Sequence, residues 1–224
     1  MDGFDALLTE SRAFFRALQD NNSKEWFEPR KEEFTANIRK PAKFLASLMA
    51  EDLSRLTGAA LSPRVFRIHR DVRFSKDKTP YKTNRSCLIA IGGRKKMQPG
   101  GLYLELGPEH CGIYSGWYMP DRDQLLRIRE HLAANMARAK SILSAPTFIK
   151  TFGEIRGEAQ KRIPSHLKEA GEAFPLIYNT QFYVMHEIEP ERSLEPDFIP
   201  YIVECWKAIE PWNAFLGEVH REED

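Results

Sequence analysis

The stretch GLYLELGPEHCGIYSGWY, residues 101–118, decides the fold class. Leu102, Leu104 and Leu106 alternate with Tyr103 and Glu105, the period of two that sends side chains to opposite faces of a strand. The short Gly107–Cys111 connection then leads into a second β-prone run, Gly112–Tyr118, so the pair reads as an antiparallel hairpin. Two similar runs precede it, Val65–His69 and Cys87–Ile91, and Phe182–Ile188 reads as one more strand.

Helical patterns flank these strands. Phe4, Leu7, Leu8, Phe14, Phe15 and Leu18 recur on one helical face, Asn21-Asn22 breaks it, and Ser23 is placed to cap the next helix. Pro29 suits a first helical position, and Phe34 and Ile38 continue the buried side. Pro41 restarts a helix with Phe44, Leu45, Leu48, Met49, Leu53 and Leu56 expected to face inward, and Gly58 is its expected left-handed stop. Asp121 and Gln124 have capping-box spacing ahead of a helix striped by Leu125, Ile128, Leu132, Met136 and Leu143. After short helices and loops over 144–180, a last helix begins at Asp197, is kinked or restarted by Pro211, and buries Trp206, Trp212, Phe215 and Leu216. The expected fold class is α+β: an antiparallel sheet from the central region packed against N- and C-terminal helices. It is read as a single domain, 1–224, with 4–57 helical, 62–120 mainly strands, and 121–220 mainly helices with one strand near 182–188.

Composition sets the class limits. The 224 residues are 42% hydrophobic and 29% charged, an ordinary globular balance that can bury a core without staples. Cys87, Cys111 and Cys205 form no CxxC pair, which argues against a disulfide framework or a cysteine zinc site. The acidic MDGFD start does not resemble a signal peptide, and the longest apolar run, 44–50, is broken by Ser47 and is far too short to span a bilayer. The expectation is a cytoplasmic protein with no membrane partner.

The net charge of +1 hides an uneven distribution. Residues 61–100 hold eleven Lys or Arg against Asp71 and Asp77 alone, a net of +9, while the other residues, with 22 bases and 30 acids, carry −8. The centre of this segment is FRIHRDVRFSKDKTPYKTN, residues 66–84. As one regular strand, 66–74 would put Phe66, Ile68, Val72 and Phe74 on a face with Arg70 as its lone charge. A buried Arg needs a partner, so either a bulge turns Arg70 outward or a carboxylate more distant than Asp71 meets it.

This stretch, RDVRFSKDKTPYKTN, resembles the signature of a widespread family of conserved hypothetical proteins, a domain of unknown function. NNSKEWF at 21–27, GWYMPDRDQLLRIRE at 116–130 and FGEIRGEAQKRIP at 152–164 agree, so the likeness covers nearly the whole chain. It implies a single-domain soluble protein of bacterial type and no activity to carry over. One departure is LYLEL at 102–106, where such proteins often read a YYLHI-like run.

Arg67, Arg70, Arg73, Lys78, Tyr81 and Lys82 are the candidate anion-binding residues, with Asp71 and Asp77 orienting the guanidinium groups. The reading is a binder of a phosphate-bearing small ligand, with a reaction on it left open. The alternatives are contact with a nucleic-acid backbone, extended by Arg94, Lys95 and Lys96, or an internal Arg–Asp network with no ligand. No cofactor, no metal spacing and no P-loop is read; the six histidines form no HExxH, and His186, Glu187 and Glu189 read as exposed strand residues. Oligomeric state has no sequence signal here.

Overall fold

A computed structural model describes residues 3–58, 60–91 and 101–221. In chain order its elements are helices α1 (Gly3–Asp20), α2 (Lys24–Phe27), α3 (Lys31–Phe34) and α4 (Lys40–Thr57), then strands β1 (Leu61–Val65), β2 (Arg85–Ile91), β3 (Leu102–Leu106) and β4 (Cys111–Trp117). Helices α5 (Arg122–Ala134), α6 (Met136–Leu143), α7 (Pro146–Phe152) and α8 (Lys168–Ala173) follow, then β5 (Phe182–Ile188) and α9 (Phe198–Arg221). The class is α+β, and the five antiparallel strands form one sheet in sequential order, β1-β2-β3-β4-β5. Neighbouring antiparallel strands are also neighbours in sequence, with residues 66–84 between β1 and β2 and α5–α8 between β4 and β5.

The chain divides into two compact units. The first comprises Met1–Gly93, Tyr103–Ile113 and Glu187–Tyr201. Its aromatic core joins Phe14, Phe15 and Leu18 of α1 to Phe27, Phe34, Ile38, Ile68 and Tyr81. Ser23 caps α2 by accepting from the Trp26 amide at 3.3 Å. Pro41 does not restart a helix: a π-helical turn, Thr35–Arg39, carries the chain straight into α4, where Pro41 occupies the first turn and needs no amide partner. Gly58 ends α4 in the left-handed conformation, φ 68°, and its amide reaches Ser54 O at 2.9 Å.

The buried stripe of α4 is Ala46, Met49, Ala50 and Leu53: Met49 and Leu53 face inward as expected and Leu45 is half-buried, but Phe44, Leu48 and Leu56 are exposed. The four buried residues sit at i, i+3, i+4 and i+7, so Ala46 and Ala50 share the buried face with Met49 and Leu53, and Phe44, Leu48 and Leu56 fall outside it. The first strand also differs from expectation. It covers Leu61–Val65 rather than Val65–His69, pairing Leu61 with Ile91 through Val65 with Cys87. Pro63 speaks against a strand there, yet β1 lies at the sheet edge, where a missing amide is tolerated.

The second unit comprises Arg94–Leu102, Tyr114–His186 and Ile202–Asp224. The capping box at the start of α5 is complete: the Gln124 amide donates to Asp121 Oδ1 at 2.9 Å, and the Asp121 amide to Gln124 Oε1 at 3.0 Å. The stripe expected through Leu143 is divided at Asn135, whose φ of −121° lies outside the helical range and separates α5 from α6. Helix α9 continues through Pro211 without a restart, and Trp212 stacks on Phe215 with centroids 5.5 Å apart. The Asn213 side-chain amide donates to Ser115 Oγ at 2.8 Å, and that hydroxyl donates to Gly101 O at 2.6 Å, a buried polar chain. Trp206 and Trp212 are buried as expected, and Trp117 of β4 is buried as well.

Candidate functional site

The basic motif is not a strand. Beyond β1, the Phe66 amide still reaches Ser86 O at 3.0 Å, but the next contacts join Lys82 N to Ile68 O at 2.8 Å and Arg70 N to Pro80 O at 2.9 Å. Three steps from Phe66 to His69 thus face five from Ser86 to Tyr81, the extra residues that make a bulge. The result is a narrow neck, 68–70 against 80–82, that closes the loop 71–79. Two side chains root this neck in the core: Ile68 and Tyr81 are buried, the Tyr81 ring lying 4.3 Å from that of Phe27. Asn22 clamps it from α1's end, accepting from the Tyr81 amide at 3.1 Å and donating to Tyr81 O at 2.9 Å, as a neighbouring strand would.

Within the loop the charges pair with one another. The Arg70 guanidinium donates to Asp77 and to the Thr79 hydroxyl. Arg73 grips Asp71 with two bonds, Nε to Oδ1 at 2.9 Å and Nη2 to Oδ2 at 2.7 Å. Lys78 Nζ donates to Val72 O at 2.9 Å. Both outcomes foreseen for Arg70 therefore occur: a bulge breaks the strand, and a carboxylate more distant than Asp71 meets the guanidinium. Phe74, expected on the buried face, is instead 95% exposed beside the Arg73 guanidinium, because the loop has left the sheet. Arg67 is exposed on the neck, and Lys82 Nζ lies 5.4 Å from the centre of the Phe66 ring.

Hydrogen bonding from Arg70, then from Thr79, holds the Asp77 carboxyl down at about 2; the Arg73 side chain, then its amide, does the same for Asp71, also at about 2. A carboxylate with a depressed pKa stabilises the folded loop at pH values above its ordinary range, and the contribution disappears as pH falls through the lowered value. The Thr79 amide, 2.9 Å from Asp77 Oδ1, reports this directly. Its NMR shift is expected to titrate with a midpoint near 2. A midpoint near the ordinary 3.8 would show that the Arg70–Asp77 pair does not form.

The loop walls an open cleft of about 590 Å³. Of the residues singled out from sequence, Arg70, Asp71, Asp77, Tyr81 and Lys82 line it, whereas Arg67, Arg73 and Lys78 do not. The cleft also contains groups that sequence reading passed over: Gln19, Asn22, Thr83, Asn84, Tyr103 and Glu105. Glu105 is, with Tyr103, an outward residue of the LYLEL alternation. It accepts from Asn84 Nδ2 at 2.8 Å and from the Tyr103 hydroxyl at 3.2 Å. Asn84 Oδ1 is buried and has no hydrogen-bond partner among the described residues. Arg94, Lys95 and Lys96 lie outside the described residues.

Elsewhere the candidates resolve into packing. Cys111 and Cys205 are buried and Cys87 is half-buried, and no disulfide joins them. His186 is half-buried rather than exposed, its ring edge-on to Phe152 at 6.0 Å, because α7 covers that end of β5. Among the described residues no cluster of three His, Cys, Asp or Glu side chains is placed to hold a metal, and no helix is long and apolar enough to cross a membrane.

Fold and loop together define an α+β protein whose most distinctive surface is a self-braced basic hairpin loop beside a polar cleft. Its sequence places it in a known group: the chain belongs to the family of conserved hypothetical proteins DUF2461, whose family model matches residues 10–215. Among curated proteins, none matches the chain.

Proposed function

We propose that the cleft binds a small phosphate-bearing ligand, with Arg70 and Lys82 as its cationic contacts and Thr79, Thr83 and Asn22 as neutral ones. The supporting observation is that Arg70 and Lys82 line one open cleft together with these uncharged hydrogen-bonding side chains. Arg67, Arg73 and Lys78 fall to supporting roles, since none lines the cleft. Asp71 and Asp77 shape the loop: Asp71 holds Arg73, and Asp77 holds Arg70. That pairing does not close the site. A partly exposed ion pair contributes only about 0–1 kcal/mol, so a phosphate accepting charge-assisted bonds from Arg70 can take Asp77's place. No reaction is assigned.

Inorganic phosphate and a sugar phosphate, titrated at low salt while the melting temperature is followed, test this reading. Stabilisation is expected for the native chain, and Arg70→Ala and Lys82→Ala are each expected to weaken it at least tenfold, since a hydrogen bond to a charged group contributes about 1.5–3 kcal/mol. Equal responses from native protein and Arg70→Ala would refute it.

A second reading draws on Phe74, almost wholly exposed with Arg73 beside it and Lys76 and Lys78 nearby in the loop. An exposed aromatic flanked by cations suits stacking on a base of a single-stranded nucleic acid. That reading predicts oligonucleotide binding that weakens steeply with salt and is lost in Phe74→Ala. A third reading, the internal network alone, predicts that Arg70→Ala lowers stability without any effect of phosphate on either protein.

A further inference from the structure

A second cavity lies inside the first unit, between α1, α4 and the strands, and it is chemically unlike the cleft. It measures about 40 Å³ and is walled by apolar side chains including Phe15, Leu45, Met49, Val65 and Leu104. The space exists because α4 presents Ala42 and Ala46 to it, where larger residues would fill it. By the room one water occupies, it would hold about three.

Of the polar residues in this lining, Ser11, Arg12 and Ser86, two carry a buried atom with no hydrogen-bond partner among the described residues. Ser86, on β2, is only 2% exposed, and its Oγ has no hydrogen-bond partner among the described residues. Arg12, on α1, uses Nη2 on Glu191 Oε1 at 2.5 Å, while its buried Nε has no hydrogen-bond partner among them. Buried polar atoms in native proteins are nearly all satisfied, so two orphans on one small cavity mark a place where a partner belongs. A guanidinium Nε only donates, and a serine hydroxyl can donate; a carbonyl oxygen, with two lone pairs, suits both. Charge then narrows the class further. Glu191 already balances Arg12, so a bound anion would bring an uncompensated charge into an apolar space.

We propose that this cavity binds a short, neutral carbonyl compound of roughly four to six heavy atoms, its oxygen accepting from Ser86 and Arg12 and its hydrocarbon body resting against Phe15, Leu45 and Met49. The site is separate from the phosphate cleft and does not depend on it.

The probes are cyclopentanone, its hydrocarbon counterpart cyclopentane, and butyrate, each titrated into the full-length protein while the amide spectra of residues 42–49 and 86–87 are recorded. Cyclopentanone is expected to shift these amides saturably and to bind at least about tenfold tighter than cyclopentane, since its oxygen gains two hydrogen bonds, one of them to a charged group, with butyrate weaker than the ketone. Ser86→Ala removes an unsatisfied hydroxyl and so should fold normally; it is expected to lower ketone affinity about threefold to fivefold and leave cyclopentane unchanged. Ala46→Leu, which fills the space, is expected to abolish binding of both. Equal affinity for ketone and hydrocarbon with no effect of Ser86→Ala would overturn the proposal, as would tighter binding of butyrate or no saturable shift with any probe.

Discussion

Gly116→Ala is expected to destabilise the protein by at least about 3 kcal/mol and to leave little folded chain at 37 °C. Gly116 sits in β4 with φ of 108°, a backbone conformation that side-chain-bearing residues rarely adopt. A Cβ built there would meet Phe182 O at 2.4 Å and Tyr183 Cα at 2.9 Å, both backbone atoms of the neighbouring strand β5. No side-chain rotation relieves that contact, so the two strands would have to part, and with them the base on which Trp212 rests through its 3.5 Å bond to Phe182 O. Urea unfolding followed by tryptophan fluorescence measures the effect. A loss below about 1 kcal/mol, the ordinary range for a point substitution, would contradict the β4–β5 geometry.

Tyr81→Ala is the second large effect, and it couples core to cleft. The ring is 3% exposed, lies against Phe27 and belongs to the aromatic core of the first unit. Burial, with Glu28 and Glu25 adding to it, pushes its hydroxyl pKa up, as a phenol in apolar surroundings should behave. Truncation should cost about 3–5 kcal/mol and, by freeing the neck at 80–82, should abolish phosphate binding as well. Tyr81→Phe separates anchoring from ligand contact. It keeps the ring and the two Asn22 bonds, which are to the backbone, and is expected to retain both stability and phosphate affinity. Loss of affinity in Tyr81→Phe with stability intact would instead give the hydroxyl a direct place on the ligand.

The parts of the fold legible in sequence are those governed by local rules. The alternation of Leu102, Leu104 and Leu106, the Asp121–Gln124 box and the Gly58 stop each depend on a few neighbouring residues, and each is present as read. The misreadings share a different cause. Hydrophobicity alone puts the largest apolar residues of α4 on its buried stripe, but tertiary packing selects the face with Ala46 and Ala50, and only the opposing elements could reveal that. The strand at 66–74 fails because a bulge shifts the pairing by two residues, and bulges have no fixed signal in a single sequence. The +9 segment contributes Arg70, Lys82, Asp71 and Asp77 to the lining of the cleft. It could not disclose Asn22 or Glu105, which come from distant segments and bear on the site only through the fold. That Asp71 and Asp77 orient arginines of this segment is legible too; which carboxylate meets which guanidinium, Asp77 with Arg70 and Asp71 with Arg73, comes only from the fold.

That last feature makes Asp77 the residue on which the account turns. If Asp77 competes with a phosphate for Arg70, removing its charge must strengthen binding; if the pair is only a structural brace, removing it can only loosen the loop. Asp77→Asn retains an oxygen for the Thr79 amide and so spares the local hydrogen bond. Calorimetric titration of inorganic phosphate into the native chain and Asp77→Asn at low ionic strength is therefore the decisive measurement. Binding about fivefold to tenfold tighter in Asp77→Asn is predicted, from the roughly 1 kcal/mol that one nearby charge contributes at the surface. Unchanged or weaker binding in Asp77→Asn, or no heat with either protein, would contradict a phosphate site at Arg70.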